Sequence, residues 1–165
     1  MNMCILFVSH PILLFEIENN FWPIFSGYPD GRGSSHQQQV SCYGYKDVNN
    51  WWIVKRPDRE DLAVVEPIDV IKHGEVIQLV HGMTHRALNS HDVAAPMSPQ
   101  NQEVTCYIDY NISMASENLW KVEITNQDEG DNVWHSIGSQ VRLIHVNSEQ
   151  VISFSLNSFH LVTSC

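Results

Sequence analysis

The chain has 165 residues, of which 43% are hydrophobic and five are tryptophan, as expected of one folded domain. Nineteen acidic residues against nine basic ones give a formal net charge of −10, and the basic residues form no cluster that could contact phosphates. Nucleic acids and anionic membrane surfaces are therefore disfavoured as partners.

The first 26 residues differ in pattern from the rest of the chain. Two apolar runs, residues 5–8 and 12–15, flank Pro11, which would break a helix between them. No lysine or arginine precedes these runs, and neither is long enough to cross a membrane. We therefore expect neither a signal peptide nor a membrane span in this segment.

The remainder of the chain has the alternation of short β-strands. Apolar and polar side chains alternate in residues 77–81, 104–110, 120–124 and 141–145, so each run is expected to bury one face. Turn-forming residues, among them Asn89 and Ser90, are predicted to separate the strands. No stretch longer than about ten residues has the 3.6-residue apolar period of a helix. The sequence therefore predicts an all-β domain.

Two parts of the chain repeat at a constant offset of 64 positions. Residues 39–43 (QVSCY) match residues 103–107 (EVTCY), and residues 74–81 (GEVIQLVH) match residues 138–145 (GSQVRLIH). The same offset in two separate patches indicates a duplicated unit of about 60 residues. The first and last copies are partial and the middle copy is complete. The match of the last copy fades after residue 145.

The cysteines and histidines do not predict a catalytic or metal site. None of the four cysteines forms a C-x-x-C pair, which argues against a zinc ribbon or a thioredoxin-like centre. Cys42 and Cys106 occupy equivalent positions in the repeats, where buried thiols are favoured over a disulfide between them. His81, His85 and His91 are spaced along a strand and a hairpin and are not expected to converge on a metal ion.

The aromatic residues divide between a core and a surface role. Trp52 and Trp120 are equivalent and in phase with apolar neighbours, which predicts that both are buried, whereas Trp51 is out of phase and is expected on the surface. Ligand contacts are expected instead from polar residues near the hairpins: His36, Gln37, His91, Asp92, Gln102 and Asn118.

Several long strings of the sequence resemble a known repeat. QQQVSCY (37–43), DVNNWWIV (47–54), LNSH (88–91) and VTCY (104–107) are similar to the MIR repeat of protein O-mannosyltransferases, inositol-trisphosphate and ryanodine receptors and stromal-cell-derived factor 2. The resemblance is strongest to the O-mannosyltransferases. It implies a β-trefoil, in which three repeats close into a barrel.

The resemblance also implies where the repeats begin and end in this chain. Residues 27–147 would form the partial, complete and partial repeats, residues 1–26 a non-homologous N-terminal segment, and residues 148–165 a divergent C-terminal end. We therefore expect a trefoil that is incomplete at both ends, with open sheet edges and low stability on its own.

The function implied by the resemblance is that of a module within a larger enzyme. Protein O-mannosyltransferases transfer mannose from dolichyl-phosphate mannose to serine or threonine of proteins in the endoplasmic reticulum. Their catalytic carboxylates lie in a membrane-embedded part with no counterpart in these residues, so no catalytic residue, metal or cofactor is carried over. By itself the chain is expected to be inactive.

The expected partners follow from the same resemblance. They are a glycan or a Ser/Thr-rich acceptor protein, together with a second mannosyltransferase subunit, on the lumenal side of the endoplasmic reticulum membrane. The motif N-I-S makes Asn111 a predicted N-glycosylation site.

Two other functions are compatible with a MIR domain. One is a free-standing lumenal protein similar to stromal-cell-derived factor 2 and associated with chaperones, which would require three complete repeats and a signal peptide. The other is the suppressor domain of a ligand-gated calcium channel, which would need basic residues for inositol phosphates and is disfavoured by the acidic composition.

Overall fold

A computed structural model of the chain describes residues 15–17, 35, 37–42, 51–57, 70–95, 98–109, 116–135, 138–155 and 158–162. Within these ranges it contains ten β-strands and a short 3-10 helix, Ser116–Asn118. The strands are β1 (Phe15–Ile17), β2 (Gln38–Cys42), β3 (Trp52–Lys55), β4 (Val76–His81), β5 (Arg86–Ala95), β6 (Ser98–Asp109), β7 (Trp120–Ile124), β8 (Val141–His145), β9 (Val151–Ser155) and β10 (Ser158–Val162). The predicted all-β class is confirmed, and β7 and β8 have the predicted limits.

Seven of the strands pair in a closed circuit. β4 pairs with β5, β5 with β6, β6 with β10, β10 with β9, β9 with β8, β8 with β7, and β7 returns to β4, all antiparallel. Outside the circuit, β2 pairs with β6, β1 with β2, and β3 with β4. Each strand of the circuit therefore has a ladder partner on both sides, so the expected open edges are absent from the circuit itself. In the described part of the chain, β1 and β3 each pair on one side only.

The β9–β10 hairpin closes this circuit. It lies within residues 148–165, which the sequence pattern did not identify as part of a repeat, yet it pairs with β8 through Ile144 and Val151 and with β6 through His160 and Glu103. The division of the chain at residues 27 and 147 stays a prediction.

The hairpin also continues the internal repeat beyond the point where the sequence match fades. Val80 pairs with Ala87 between β4 and β5, and Ile144 pairs with Val151 between β8 and β9, so both partners are shifted by the same 64 positions. Backbone pairing thus keeps the offset where side-chain identity has been lost.

A tryptophan–histidine pair recurs in the two copies of the repeat. Trp52 lies opposite His81 with ring centroids 5.4 Å apart, and Trp120 lies opposite His145 with centroids 5.0 Å apart. Trp52 is 2% exposed and the other three residues are fully buried, so the core role predicted for both tryptophans is confirmed.

The turn after each histidine has the same geometry in both copies. The Nδ1 of His81 lies 2.9 Å from the Thr84 hydroxyl, and the Nδ1 of His145 lies 2.9 Å from the Ser148 hydroxyl. The residue following each hydroxyl, His85 or Glu149, adopts the left-handed conformation. The repeated histidines are therefore turn-organising residues of the fold.

The core lies between the repeats and is more extensive than alternation predicted. It is built from residues of β2 to β8: Val40, Trp52, Ile77, Leu79, Leu88, Val104, Cys106, Trp120, Val122, Ile124 and Leu143. All residues of 77–81 and 103–106 are buried, including Gln78 and Glu103, so the one-sided burial expected for these strands was wrong. β4 and β6 each contact three other strands, and their second face is covered as well.

Two further expectations can be compared with the structure. Asn89 and Ser90 do not form a turn; they lie inside β5 and are fully buried. Cys106 is a buried thiol without a disulfide, and burial raises its pKa well above the ordinary value; the side chain of Cys42 lies outside the described residues.

Among the helices of the described part of the chain, none is long and apolar enough to span a membrane.

Candidate functional site: the bulged hairpin of β5 and β6

The hairpin formed by β5 and β6 contains a wide β-bulge. Ser90 pairs with Val104, but the next pair is Ala94 with Gln102, so three residues of β5, residues 91–93, lie opposite the single residue Glu103. A bulge of this kind bends the strand and redirects its side chains, and such bulges are common next to functional sites. Here it turns His91 toward Glu103.

His91 is held between two side chains from different parts of the chain. Its Nε2 lies 3.2 Å from Glu103 Oε1, and its Nδ1 lies 3.4 Å from Gln37 Nε2. The His91 and Glu103 side chains are 12% and 6% exposed, so this ion-pair geometry is largely shielded from water. The Oε1 of Glu103 also accepts a hydrogen bond from the backbone N–H of Ser35, at 3.0 Å.

A second set of contacts extends the cluster into β5 and β6. The Thr105 hydroxyl lies 2.5 Å from Gln37 Oε1 and 3.2 Å from Asn89 Oδ1. The Ser90 hydroxyl donates to the backbone carbonyl of Glu103 at 2.8 Å. Residues 35 and 37 of the first repeat are thus joined to the central hairpin by buried polar contacts, and we refer to this group as the bulge cluster: Ser35, Gln37, Asn89, Ser90, His91, Glu103 and Thr105.

The bulge cluster has more polar atoms than internal partners. The Thr105 hydroxyl has one proton and can donate to only one of its two neighbouring oxygens. Asn89 Nδ2 and Ser35 Oγ are buried and make no hydrogen bond within the described part of the chain, and the same holds for Gln102 Oε1 next to Glu103. Buried polar atoms are normally paired, so these atoms give the bulge cluster unused hydrogen-bonding capacity.

The trefoil scaffold does not require this bulge. The β9–β10 hairpin occupies the corresponding place in the last repeat, and its five residue pairs, from Ser158–Ser155 to Val162–Val151, follow one another without a register shift. The two extra residues within 91–93 are therefore a local feature of the central hairpin.

The residues predicted to bind ligand are only partly brought together. Gln37 and His91 are in contact, Asp92 is exposed within the bulge, and Gln102 is half-buried beside it. Asn118 is 1% exposed, and its Oδ1 accepts a hydrogen bond from Gln78 Nε2 at 2.8 Å. His36 and Asn111 lie outside the described residues.

The sequence did not reveal the buried half of the cluster. Thr105 was expected in a strand with one apolar face and Asn89 and Ser90 in a turn, and Glu103 was not singled out. A signal is nevertheless present, since polar residues at four positions of two paired strands are unusual in a core. Only the strand register shows that they meet.

A separate buried network accounts for Asn118. Lys55 Nζ donates to Gln78 Oε1 at 3.2 Å, and Gln78 in turn donates to Asn118, linking β3, β4 and the 3-10 helix. In the other copy the cross-strand pair equivalent to Lys55 and Gln78 is Glu123 and Arg142, which form a partly exposed ion pair. The Lys55–Gln78–Asn118 chain therefore positions β3, β4 and the 3-10 helix relative to one another. The polar groups of its three residues hydrogen-bond to one another.

His145, the last residue of β8, is a buried titratable group. Burial lowers its pKa, although the backbone carbonyl of Glu117, 3.0 Å from Nε2, acts in the opposite direction. Because a carbonyl only accepts, Nε2 carries the proton of the neutral ring and Nδ1 accepts from Ser148. His145 is thus held in its neutral form.

Within the described ranges, no group of three or more His, Cys, Asp or Glu side chains is arranged to hold a metal ion. The bulge cluster offers hydrogen-bond donors and acceptors, a shielded imidazole–carboxylate pair and an adjacent exposed carboxylate, Asp92. This chemistry suits recognition of hydroxyl groups.

The comparison with known families identifies the domain. A family model described as the MIR domain matches residues 23–160. The chain belongs to the MIR domain family. The β-trefoil expected from the resemblance is thereby confirmed, with the strands described above as its elements.

Several curated relatives that match most of the chain are protein O-mannosyltransferases. Protein O-mannosyltransferase 1 of Drosophila melanogaster is 66% identical over 128 residues, which are 78% of this chain and 14% of the relative. Protein O-mannosyl-transferase 2 of Danio rerio is 42% identical over 118 residues, which are 72% of this chain and 15% of that protein. The chain therefore spans about one-seventh of the length of these relatives.

Two solved structures share the fold. The SDF2-like protein of Arabidopsis thaliana is 27% identical, with a TM-score of 0.67 and coverage of 79% of this chain and 74% of that chain. The S. cerevisiae protein O-mannosyltransferase Pmt1–Pmt2 complex bound to the sugar donor is 21% identical, with a TM-score of 0.69 and coverage of 81% of this chain and 20% of that chain. This fold thus occurs both in an SDF2-like protein and in a protein O-mannosyltransferase complex.

Proposed function

We propose that this chain is the MIR module of a protein O-mannosyltransferase, located on the lumenal side of the endoplasmic reticulum membrane. The whole enzyme transfers mannose to serine or threonine of proteins, and the module binds the glycan or the Ser/Thr-rich acceptor beside the catalytic part. In this proposal the module has no catalytic residue of its own and works alongside a second mannosyltransferase subunit.

The observation that carries the proposal is the difference in identity between relatives. Identity is 66% to a protein O-mannosyltransferase 1, but 42% to a protein O-mannosyl-transferase 2 and 27% to the SDF2-like protein. This difference favours the enzyme over a chaperone-associated lumenal protein.

The bulge cluster is the proposed binding site. Asp92 and the exposed edge of His91 are accessible, and Gln37 and Gln102 lie next to them with amide groups that both donate and accept. Hydroxyl groups of a sugar or of Ser/Thr side chains have the same dual character.

A chimaera tests the proposed function. The corresponding segment of the Drosophila melanogaster protein O-mannosyltransferase 1 is replaced by this chain, the enzyme is expressed with its second subunit, and mannose transfer to an acceptor protein is measured in membranes. We expect activity within a few-fold of the parent. A properly assembled chimaera without activity, and with no binding of acceptor or glycan, would contradict the proposal.

Substitutions within the chimaera test the site. Asp92→Ala and Gln102→Ala should raise the KM for acceptor while leaving kcat nearly unchanged, because they remove binding groups outside the catalytic part. Glu149→Ala, a change at an exposed turn of the last repeat, is the matched control and should have no effect. If Asp92→Ala and Gln102→Ala behave like the control, the bulge cluster is not the site.

A further inference from the structure

A second exposed feature lies next to the β3–β4 pair. Trp51, the residue before β3, is 44% exposed, as predicted from its phase. Its neighbour Trp52 is buried against His81, so the backbone beneath the exposed indole is fixed by the core. Across the sheet, the N–H of Gly82 donates to the carbonyl of Trp51 at 2.7 Å.

The other copy of the repeat shows which side chains the fold accepts at the positions of Trp51 and Gly82. Leu119 precedes β7 as Trp51 precedes β3, and the N–H of Val146 donates to the Leu119 carbonyl at 3.0 Å. Leu119 is half-buried and Val146 stands where the first copy has Gly82. The same backbone pairing is therefore compatible with two aliphatic side chains, and neither an indole nor a glycine is required by the architecture.

Gly82 lies against the backbone of Trp51. Its backbone is not in the left-handed region, so glycine is not demanded by conformation. A Cβ at this position would lie 3.0 Å from the Trp51 carbonyl oxygen and 3.5 Å from its Cβ. The absence of a side chain thus permits the close approach of Gly82 to the backbone of Trp51.

We propose that Trp51 is a stacking platform for a neutral hexopyranose. One face of a pyranose presents C–H groups with partial positive charge, and these are attracted to the negative face of an indole. The net charge of −10 disfavours acidic sugars at the same place. The turn that carries Gly82 is fixed by the His81–Thr84 contact, so little conformational freedom is lost on binding.

This inference goes beyond the proposed function because it places a second carbohydrate contact on a hairpin other than the bulged one. The indole N–H signals of the five tryptophans of the full 165-residue chain are followed by NMR. Trp51→Phe assigns the Trp51 signal. The chain is titrated with the methyl glycosides of mannose, glucose and galactose to about 20 mM, which covers dissociation constants in the millimolar range.

We expect at least one glycoside to shift the Trp51 signal in a saturable way. Binding, followed through the amide of Met83, should weaken about tenfold in Trp51→Leu and less in Trp51→Phe. Tyr107→Leu, which removes another exposed aromatic side chain, is the control and should bind as the wild type does.

Three outcomes overturn the inference. In the first, no glycoside moves the Trp51 signal; in the second, Trp51→Leu binds as well as the wild type. In the third, the signal shifts with protein concentration alone, which shows that a second copy of the chain covers Trp51. If the amides of His91 and Asp92 respond and Trp51 does not, this inference fails while the proposed function survives. The reverse result supports this inference and removes the bulge cluster as the site.

Discussion

Glu103 offers the sharpest test of the bulge cluster, because one oxygen of its carboxylate serves two donors. Oε1 lies 3.2 Å from His91 Nε2 and 3.0 Å from the backbone N of Ser35. Replacing Glu103 by alanine removes the acceptor of both and leaves two shielded donors unpaired. Glutamine would keep a carbonyl oxygen that can occupy the same position.

The magnitude follows from the burial of these groups. Leaving a buried donor unsatisfied costs about 1–3 kcal/mol, so two such donors would cost about 2–6 kcal/mol. The His91 side chain is 12% exposed and can gain some hydration after the change, which places the expectation in the lower part of this range. We therefore expect Glu103→Ala to lower the free energy of unfolding by about 2–4 kcal/mol, and Glu103→Gln by about 1 kcal/mol.

Urea denaturation at neutral pH, followed by tryptophan fluorescence, measures this difference. The matched control is Glu123→Ala, the same substitution with the same loss of charge, in a partly exposed ion pair with Arg142. Such pairs contribute about 0–1 kcal/mol. If Glu103→Ala costs no more than Glu123→Ala, the contacts of the bulge cluster do not stabilise the domain and our reasoning is refuted.

Three further predictions concern the rest of the domain. Because burial lowers the pKa of His145, its folded state resists protonation, and the urea midpoint should be constant above the ordinary pKa of 6.5 and fall as the pH drops below it; His145→Gln should remove part of this slope, and an unchanged slope would contradict the assignment. Leu79→Ala, at a fully buried position, should cost about 2–5 kcal/mol, whereas Val70→Ala, at a position 44% exposed, should stay within about 0.5 kcal/mol. Deleting residues 148–165 removes β9 and β10 and opens the strand circuit, so sedimentation should show self-association through the uncovered edges of β6 and β8; a monomeric, equally stable product would disprove the role of the hairpin in closure.

Local alternation was sufficient wherever one face of a strand is buried. β7 was predicted over its full length, and its exposed Lys121 alternates with buried Trp120 and Val122. The opposite phases of Trp51 and Trp52 predicted their opposite exposure for the same reason. A period of two residues is a property of the backbone and is visible without knowing the partner strand.

Alternation failed where a strand is covered on both faces. Gln78 was expected on an exposed face because it alternates with apolar residues, yet it is buried, as is Glu103, in strands that have three neighbours. Their burial depends on the partners Asn118 and His91, which lie 40 and 12 positions away along the chain. Such contacts satisfy the polar groups, but only the three-dimensional register brings them together.

The candidate site was predictable in part. Gln37 and His91 were identified as polar residues near hairpins, and they meet in the structure. The bulge that aims His91 at Glu103 could not be predicted, because a change of register by two residues leaves no signature in composition or periodicity.

The sequence by itself determined the class of the fold, the 64-residue repeat and the burial of the two equivalent tryptophans, because these depend on local periodicity and on identity between copies. The tertiary structure decided how the barrel is closed and which polar side chains form a cluster. The β9–β10 hairpin closes the circuit with residues that no longer match the repeat, since backbone hydrogen bonds join strands whatever side chains they carry. The bulge cluster joins residues 35 and 37 to β5 and β6 across as many as 68 positions of the chain, and contacts of that range are fixed only when the sheet has formed.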